Sequence, residues 1–140
     1  MKRLNAAARA LLESDALAHM VTLSPSGAPQ LSVVWVGLDG DEIVSAHLPA
    51  RQQKLSNIRR DPRVALSVES SNVNERGFRE YLVVHGYARI TEGGAPEKLQ
   101  ELAHTYLGPD VTFPQMPDPP PGFIVHISVT GIGGVGPWND

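Results

Sequence analysis

The stretch Ala50-Arg51-Gln52-Gln53-Lys54-Leu55-Ser56-Asn57-Ile58-Arg59-Arg60-Asp61-Pro62-Arg63-Val64 decides how the chain folds. It follows an apolar, strand-like run over residues 43–47 and reads as a short helix. Pro62 stops that helix, because the residue before a proline is pushed out of the helical region. A further strand, Val64-Ala65-Leu66-Ser67-Val68, comes next. The charges inside the helix are oddly placed. Arg51 and Lys54 fall in its first turn, where the macrodipole disfavours cations. At about 100° per residue, Ile58 projects within roughly 20° of Arg51 and 40° of Lys54. Two cations therefore share the side of the helix that Leu55 and Ile58 bury. Such a pair makes sense where an anion such as a phosphate sits at the helix start, held by backbone N–H groups and side chains together. The alternative is that both side chains snorkel from a helix edge to water. Spacing alone leaves the two readings open.

Outward from this helix, composition narrows the function classes. The chain has 140 residues, 41% hydrophobic and 19% charged, with a formal net charge of −3. That length suits a single domain over residues 1–140, and the negative balance argues against non-specific nucleic-acid binding. The positive charge is local: Arg51, Lys54, Arg59, Arg60 and Arg63 stand against the single acid Asp61. There is no cysteine, which removes disulfides, thiolate metal sites and cysteine nucleophiles. No apolar run approaches a membrane span, and Met1-Lys2-Arg3-Leu4 lacks the apolar segment of a secretory signal. The expectation is a cytoplasmic protein without membrane or nucleic-acid partners.

Residues 5–13 read as a helix capped by Asn5, with Leu4, Ala8, Leu11 and Leu12 as its apolar stripe. Residues 16–24 and 30–38 read as strands around the turn Ser24-Pro25-Ser26-Gly27-Ala28-Pro29. Asp39-Gly40 makes a tight turn into a strand over 42–47. Beyond the central helix and its following strand, residues 69–80 are polar and read as a loop. Residues 81–91 form a long strand in which Gly86 signals a bulge or a close approach. Pro96 opens a helix ending near Tyr106. Residues 108–122 hold six of the twelve prolines and cannot be regular structure; they read as a surface loop covering something. Residues 123–129 form the last strand, and the glycine-rich tail 131–140 is expected to be flexible until it docks. Six short strands with one helix between the third and fourth predict a mainly β fold, a small antiparallel split β-barrel.

With this order on the page, three blocks carry a family resemblance. His19-Met20-Val21-Thr22-Leu23-Ser24-Pro25-Ser26-Gly27-Ala28-Pro29 resembles an "A-T-x-x-x-x-G-x-P" opening. Ser32-Val33-Val34-Trp35-Val36 is similar to a flavin-facing second strand. Arg51-x-x-Lys54-x-x-Asn57-Ile58-x-x-Asp61-Pro62-Arg63-Val64 resembles the "R-x-x-K-x-x-N-L-x-x-D-P-R-V" signature. Together they resemble the split-barrel flavin-binding superfamily of pyridoxamine 5′-phosphate oxidases and their actinobacterial deazaflavin-dependent relatives, over about residues 4–130. The resemblance implies a homodimer with cofactor sites at the subunit interface. It implies that Arg51 and Lys54 hold the cofactor phosphate with Asn57 nearby, and that the backbone of Ser32, Val33, Val34 and Trp35 lines the tricyclic ring. His47, just before the phosphate helix, is a further candidate for a cofactor oxygen. Arg59, Arg60 and Arg63 either serve an anionic cofactor tail or form a solvated face.

The oxidases carry an Arg- and His-containing C-terminal segment that grips substrate phosphate, whereas residues 131–140 here contain neither. That departure favours a reductase dependent on coenzyme F420, passing a hydride to a small unsaturated or aromatic acceptor. No catalytic triad or metal-ligand spacing is visible. Tyr87, or water, is a candidate proton donor. Trp138 is read as a substrate-pocket or partner-subunit residue, because a flexible tail gains order only by docking. The alternatives are an FMN-dependent oxidoreductase and a non-catalytic flavin or tetrapyrrole carrier.

Overall fold

The computed structural model describes residues 1–49 and 52–139. It opens on α1 (Ala6–Leu12), capped by Asn5, whose side chain accepts from the Ala8 N–H at 2.9 Å. The chain then forms β1 (Ala18–Leu23), β2 (Pro29–Val34), β3 (Gly37–Asp39) and β4 (Glu42–His47). The central helix α2 (Gln53–Arg60) follows, then the long antiparallel arms β5 (Arg63–Val73) and β6 (Arg79–Glu92). Helix α3 (Ala95–Tyr106) has its proline in the first turn, and β7 (Phe123–Val135) closes the order.

All seven strands belong to one antiparallel sheet in the order β2-β1-β5-β6-β7-β4-β3. Its two edge strands, β2 and β3, are separated in sequence by only Trp35 and Val36. So short a link spans on the order of 10 Å. The edges must therefore meet at that end, which curls the sheet into a barrel split along the β2–β3 seam. Met20, Ile43, Leu66, Leu82 and Ile127 are fully buried inside it. Leu55 and Ile58 of α2 join the same core, each contributing roughly 1.5–3 kcal/mol by leaving water.

Several expectations are corrected. There are seven strands, not six: the run over 30–38 breaks at Trp35-Val36, where the chain crosses the seam. Tyr106 supplies what the broken ladder lacks. Its hydroxyl accepts from the Val36 N–H at 3.0 Å and faces the Ala16 and Val36 carbonyls at 3.1 and 3.2 Å. The polar segment 69–80 is mostly strand; β5 and β6 run past the core into a two-sided exposed hairpin, so their polarity misleads. The glycines of the tail pair with β6, Leu82 against Gly134 and Val83 against Gly133. A continuous ladder to an already ordered neighbour holds these residues, where composition alone suggested flexibility. Residues 108–122 have no helix or strand, as expected.

The barrel has an unusually plain outer face. Across β2-β1-β5-β6 the registers align Leu31, Val21, Ala65 and His85 in one row, and Val33, His19, Ser67 and Val83 in the next. Leu31 and Val33 are 61% and 53% exposed on the edge strand. The expected bulge lies between His85 and Gly86, where a Cβ would drive into the Ser128 backbone carbonyl. Gly86→Ala should therefore destabilise the fold by about 1–3 kcal/mol, the usual cost of overpacking. Urea unfolding checks this; an unchanged midpoint would refute the close-approach account.

Candidate functional site

At the mouth of the barrel, beside the seam, a groove of about 240 Å³ is bounded by β2, β4, α2, α3 and the proline-rich loop. Its charged side is Lys54, in the first turn of α2, with His47 at the end of β4. Burial holds the Lys54 pKa below the usual lysine value. Among the described residues, no carboxylate pairs with it. Gln52, the residue before α2, makes no side-chain bond to the helix N–H groups. A half-desolvated cation without a counter-charge is costly unless an anion arrives.

His47 is buried and its Nε2 lies 2.8 Å from the Ser45 hydroxyl. Its pKa is pushed down to about 4, first by burial and then by the Lys54 charge, with a hydrogen bond to Gln52 opposing. The ring is therefore neutral at pH 7, and Lys54 is left as the charge that greets a ligand. Ser32, one residue before the lining Val33, carries a buried hydroxyl with no hydrogen-bond partner among the described residues.

The site residues expected from sequence divide as follows. Val33, Val34, Trp35, His47 and Lys54 share the groove, and Ser32 lies directly beside it in β2. Arg51 lies outside the described residues. Asn57 is completely buried: its amide donates to Thr22 Oγ1 at 3.0 Å and Gln30 Oε1 at 3.3 Å, and its carbonyl accepts from Gln53 at 2.9 Å. These bonds tie α2 to β1 and β2, so Asn57 fixes where the first turn of the helix stands. Arg59 and Arg60 sit at the other end of α2, roughly 8–9 Å from Lys54 by helix rise, Arg63 opens β5 just beyond it, and each is engaged. Arg59 lies 5.0 Å over the Phe123 ring, Arg60 donates to the Leu23 carbonyl, and Arg63 pairs with Asp61 at 2.7 Å. The Arg63 hydrogen bonds hold the Asp61 pKa down to about 2.

Trp138 corrects the sequence reading. It is 5% exposed within the chain's own core, and its indole donates to the Tyr81 carbonyl at 2.8 Å. Its face borders a different, larger cleft of about 610 Å³ between α1 and the β5–β6 hairpin. That cleft carries Asp15, Glu69 and Glu80 against Arg79, a balance that repels phosphate. Tyr87 projects from the outer face of β6, 53% exposed, and does not line the groove.

Sequence reasoning missed Phe113 and Leu99, which complete the apolar side of the groove. The signal for Phe113 was available: it is the one aromatic residue in the proline-rich stretch 108–122. A large ring on a stiff loop must find cover.

The curled, split sheet with a groove at its seam is the architecture of flavin-binding split barrels. The chain belongs to the pyridoxamine 5′-phosphate oxidase family, whose sequence profile matches residues 4–136. Among solved structures it is similar to an F420 reductase, with 28% identity and a TM-score of 0.72, covering 89% of this chain and 94% of that one. The conserved hypothetical protein Rv2991 from Mycobacterium tuberculosis shares the fold at 24% identity and a TM-score of 0.71, covering 99% and 85%. A heme binding protein from Mycobacterium smegmatis also shares it, at 21% identity and a TM-score of 0.64, covering 91% and 52%. No curated protein matches the sequence. No described helix is long and apolar enough to cross a membrane.

The buried neutral His47 makes stability depend on pH. Its unfolded pKa is near 6.5 and its folded value about 4. The unfolded chain thus binds the extra proton first, and stability falls as pH drops from about 6.5 towards 4, by on the order of 3 kcal/mol. Denaturant titrations across that window should show the slope in the wild type and a flatter profile in His47→Gln. Identical profiles would remove His47 as the cause.

Proposed function

We infer that this protein is an oxidoreductase using reduced coenzyme F420, which transfers a hydride to a small unsaturated or aromatic acceptor at a groove shared between two copies of the chain. The observation that carries the reading is Lys54: a half-buried ammonium with no carboxylate partner among the described residues, in the first turn of a helix and lining the groove with Val33 and Val34. That donor set fits a phosphate. Lys54 and Arg51 hold it, Asn57 fixes the helix that carries Lys54, and neutral His47 offers a hydrogen bond without competing charge. The backbone of residues 32–35 forms the wall against which the ring lies. When bound, the deazaflavin supplies the hydride chemistry; the chain orients it and excludes water. Similarity to an F420 reductase over most of both chains supports the choice of cofactor, as does a C-terminal segment, residues 131–140, without Arg or His.

The groove also argues for a second copy. At about 240 Å³ it falls below the roughly 300–1,000 Å³ of small-molecule sites. One of its walls, Val33, is continuous with the exposed apolar face that includes Leu31. A partner docked on that face both covers the edge strand and deepens the site. Tyr87 enters the acceptor site only as a residue of that outer face, contributed from the neighbouring copy.

Side-by-side titrations with F420 and FMN test the cofactor. F420 should bind with fluorescence quenching, and Lys54→Ala should weaken it about tenfold or more, the scale of a charge-assisted hydrogen bond. Binding of FMN alone moves the protein to the FMN-dependent class, and equal binding by the variant refutes the role of Lys54. Sedimentation of Leu31→Arg should show a monomer where the wild type is a dimer; a wild-type monomer defeats the shared groove.

A further inference from the structure

The cleft between α1 and the β5–β6 hairpin has a volume of about 610 Å³, inside the roughly 300–1,000 Å³ range of small-molecule sites. It shares no lining residue with the groove at Lys54. Its floor is apolar: Ala7, Ala10 and Leu11 come from α1, and Trp138 from the C-terminal tail. The walls are fastened to one another before any ligand arrives. Asn5 donates to the Pro137 carbonyl at 2.9 Å, tying the start of α1 to the tail. The Trp138 indole donates to the Tyr81 carbonyl at 2.8 Å, tying the tail to β6. Across the hairpin, Arg79 donates to the Ser70 carbonyl at 3.2 Å and Asn72 to Glu80 Oε1 at 2.9 Å. A cleft formed in advance loses little entropy when a ligand enters.

The rim is charged, and its charges are not neutralised. Asp15, Glu69 and Glu80 line the cleft together with a single cation, Arg79. Among the described residues, no salt bridge involves any of these four. Arg79 gives its Nη1 to a backbone carbonyl rather than to a carboxylate. The cation of α1 is turned the other way: Arg9 donates to the Gly40 carbonyl at 2.8 Å and pairs with Asp41 at 3.3 Å. With its N–H committed, Trp138 offers the cleft apolar ring surface only. We propose that this cleft is a second ligand site, which takes an amphipathic organic cation. Its ammonium group is answered by the carboxylates of the rim, and its apolar or aromatic body lies against Ala7, Ala10 and Trp138. An ammonium carries three donors and no acceptor, which suits acids arriving separately from the α1–β1 turn, β5 and β6. The floor supplies burial of the body. Carboxylates and phosphates of the same size are repelled by the rim. Because the two sites have no residue in common, occupancy of this one does not depend on the cofactor.

Three probes with one shared body test the site: 4-phenylbutylamine, 4-phenylbutanol and 4-phenylbutyrate, titrated into the full chain by calorimetry at low salt. The amine should bind saturably, the alcohol about tenfold more weakly, and the carboxylate not at all. Glu69→Gln and Asp15→Asn should each weaken the amine about threefold, and together about tenfold, the scale of partly exposed charge pairs. Neither change should move the alcohol. Salt at about 0.5 M should weaken the amine alone. Ala10→Trp, at an exposed position of α1, should fill the floor and abolish binding of amine and alcohol alike. Equal affinity for amine and alcohol reduces the cleft to an apolar surface and overturns the proposal. Amine binding that survives Ala10→Trp, or that the double carboxylate variant leaves untouched, also overturns it. So does a wild type that shows no saturable amine binding up to millimolar concentration.

Discussion

Two residues joining opposite edges of a seven-stranded sheet impose the geometry on which the rest depends. Because Trp35 and Val36 must carry the chain from β2 to β3, the sheet cannot lie open, and its edges converge at one end. The crossing leaves backbone groups outside the ladder, and buried polar groups must be paired. Tyr106 meets that need from α3, ninety residues further along than Ala16. The same ring then gives Trp35 its stacking partner. Closure of the barrel, placement of α3 and shaping of the groove are thus one event seen at three scales.

A second constraint sets the polar end. Asn57 lies completely buried beneath α2, bonded to Thr22, Gln30 and Gln53. A buried amide network of this kind is stable only when its members are satisfied together, so the helix has one position on the sheet. Lys54 is consequently carried to the groove on a rigid element, and its cost of desolvation is met by the core contacts of Leu55 and Ile58 on the same helix. The cation is strained electrostatically rather than sterically.

The sequence was legible where local rules and long-range packing agree. The Asn5 cap, the Asp39-Gly40 turn, the stop at Pro62 and the bulge at Gly86 each follow from one residue's backbone chemistry, and each is where it was expected. The spacing of Lys54, Leu55 and Ile58 revealed a charged helix edge without the structure. What was hidden depends on partners distant in the chain. Nothing near residue 35 announces that Tyr106 will bridge a broken strand. Nothing in a run of glycines tells that β6 is long enough to pair with it. Trp138 was read as a substrate-pocket or partner-subunit residue because its neighbours looked mobile, yet it packs in the chain's own core and donates to the Tyr81 carbonyl. Asn57, singled out by the motif, is bonded to Thr22, Gln30 and Gln53 beneath the helix, contacts that spacing along the chain did not reveal.

The proline-rich loop takes no part in any ladder, and Phe113 reaches the groove through two bonds to Gln100 and one ring contact. The α2 machinery around Lys54 shares none of these attachments. Changes between residues 108 and 122 therefore leave the bonds that seat α2 on the sheet untouched. Such an arrangement sets a replaceable cassette beside a frozen anchor: the loop hangs from α3 by its own attachments, while the helix keeps its place through a separate buried network.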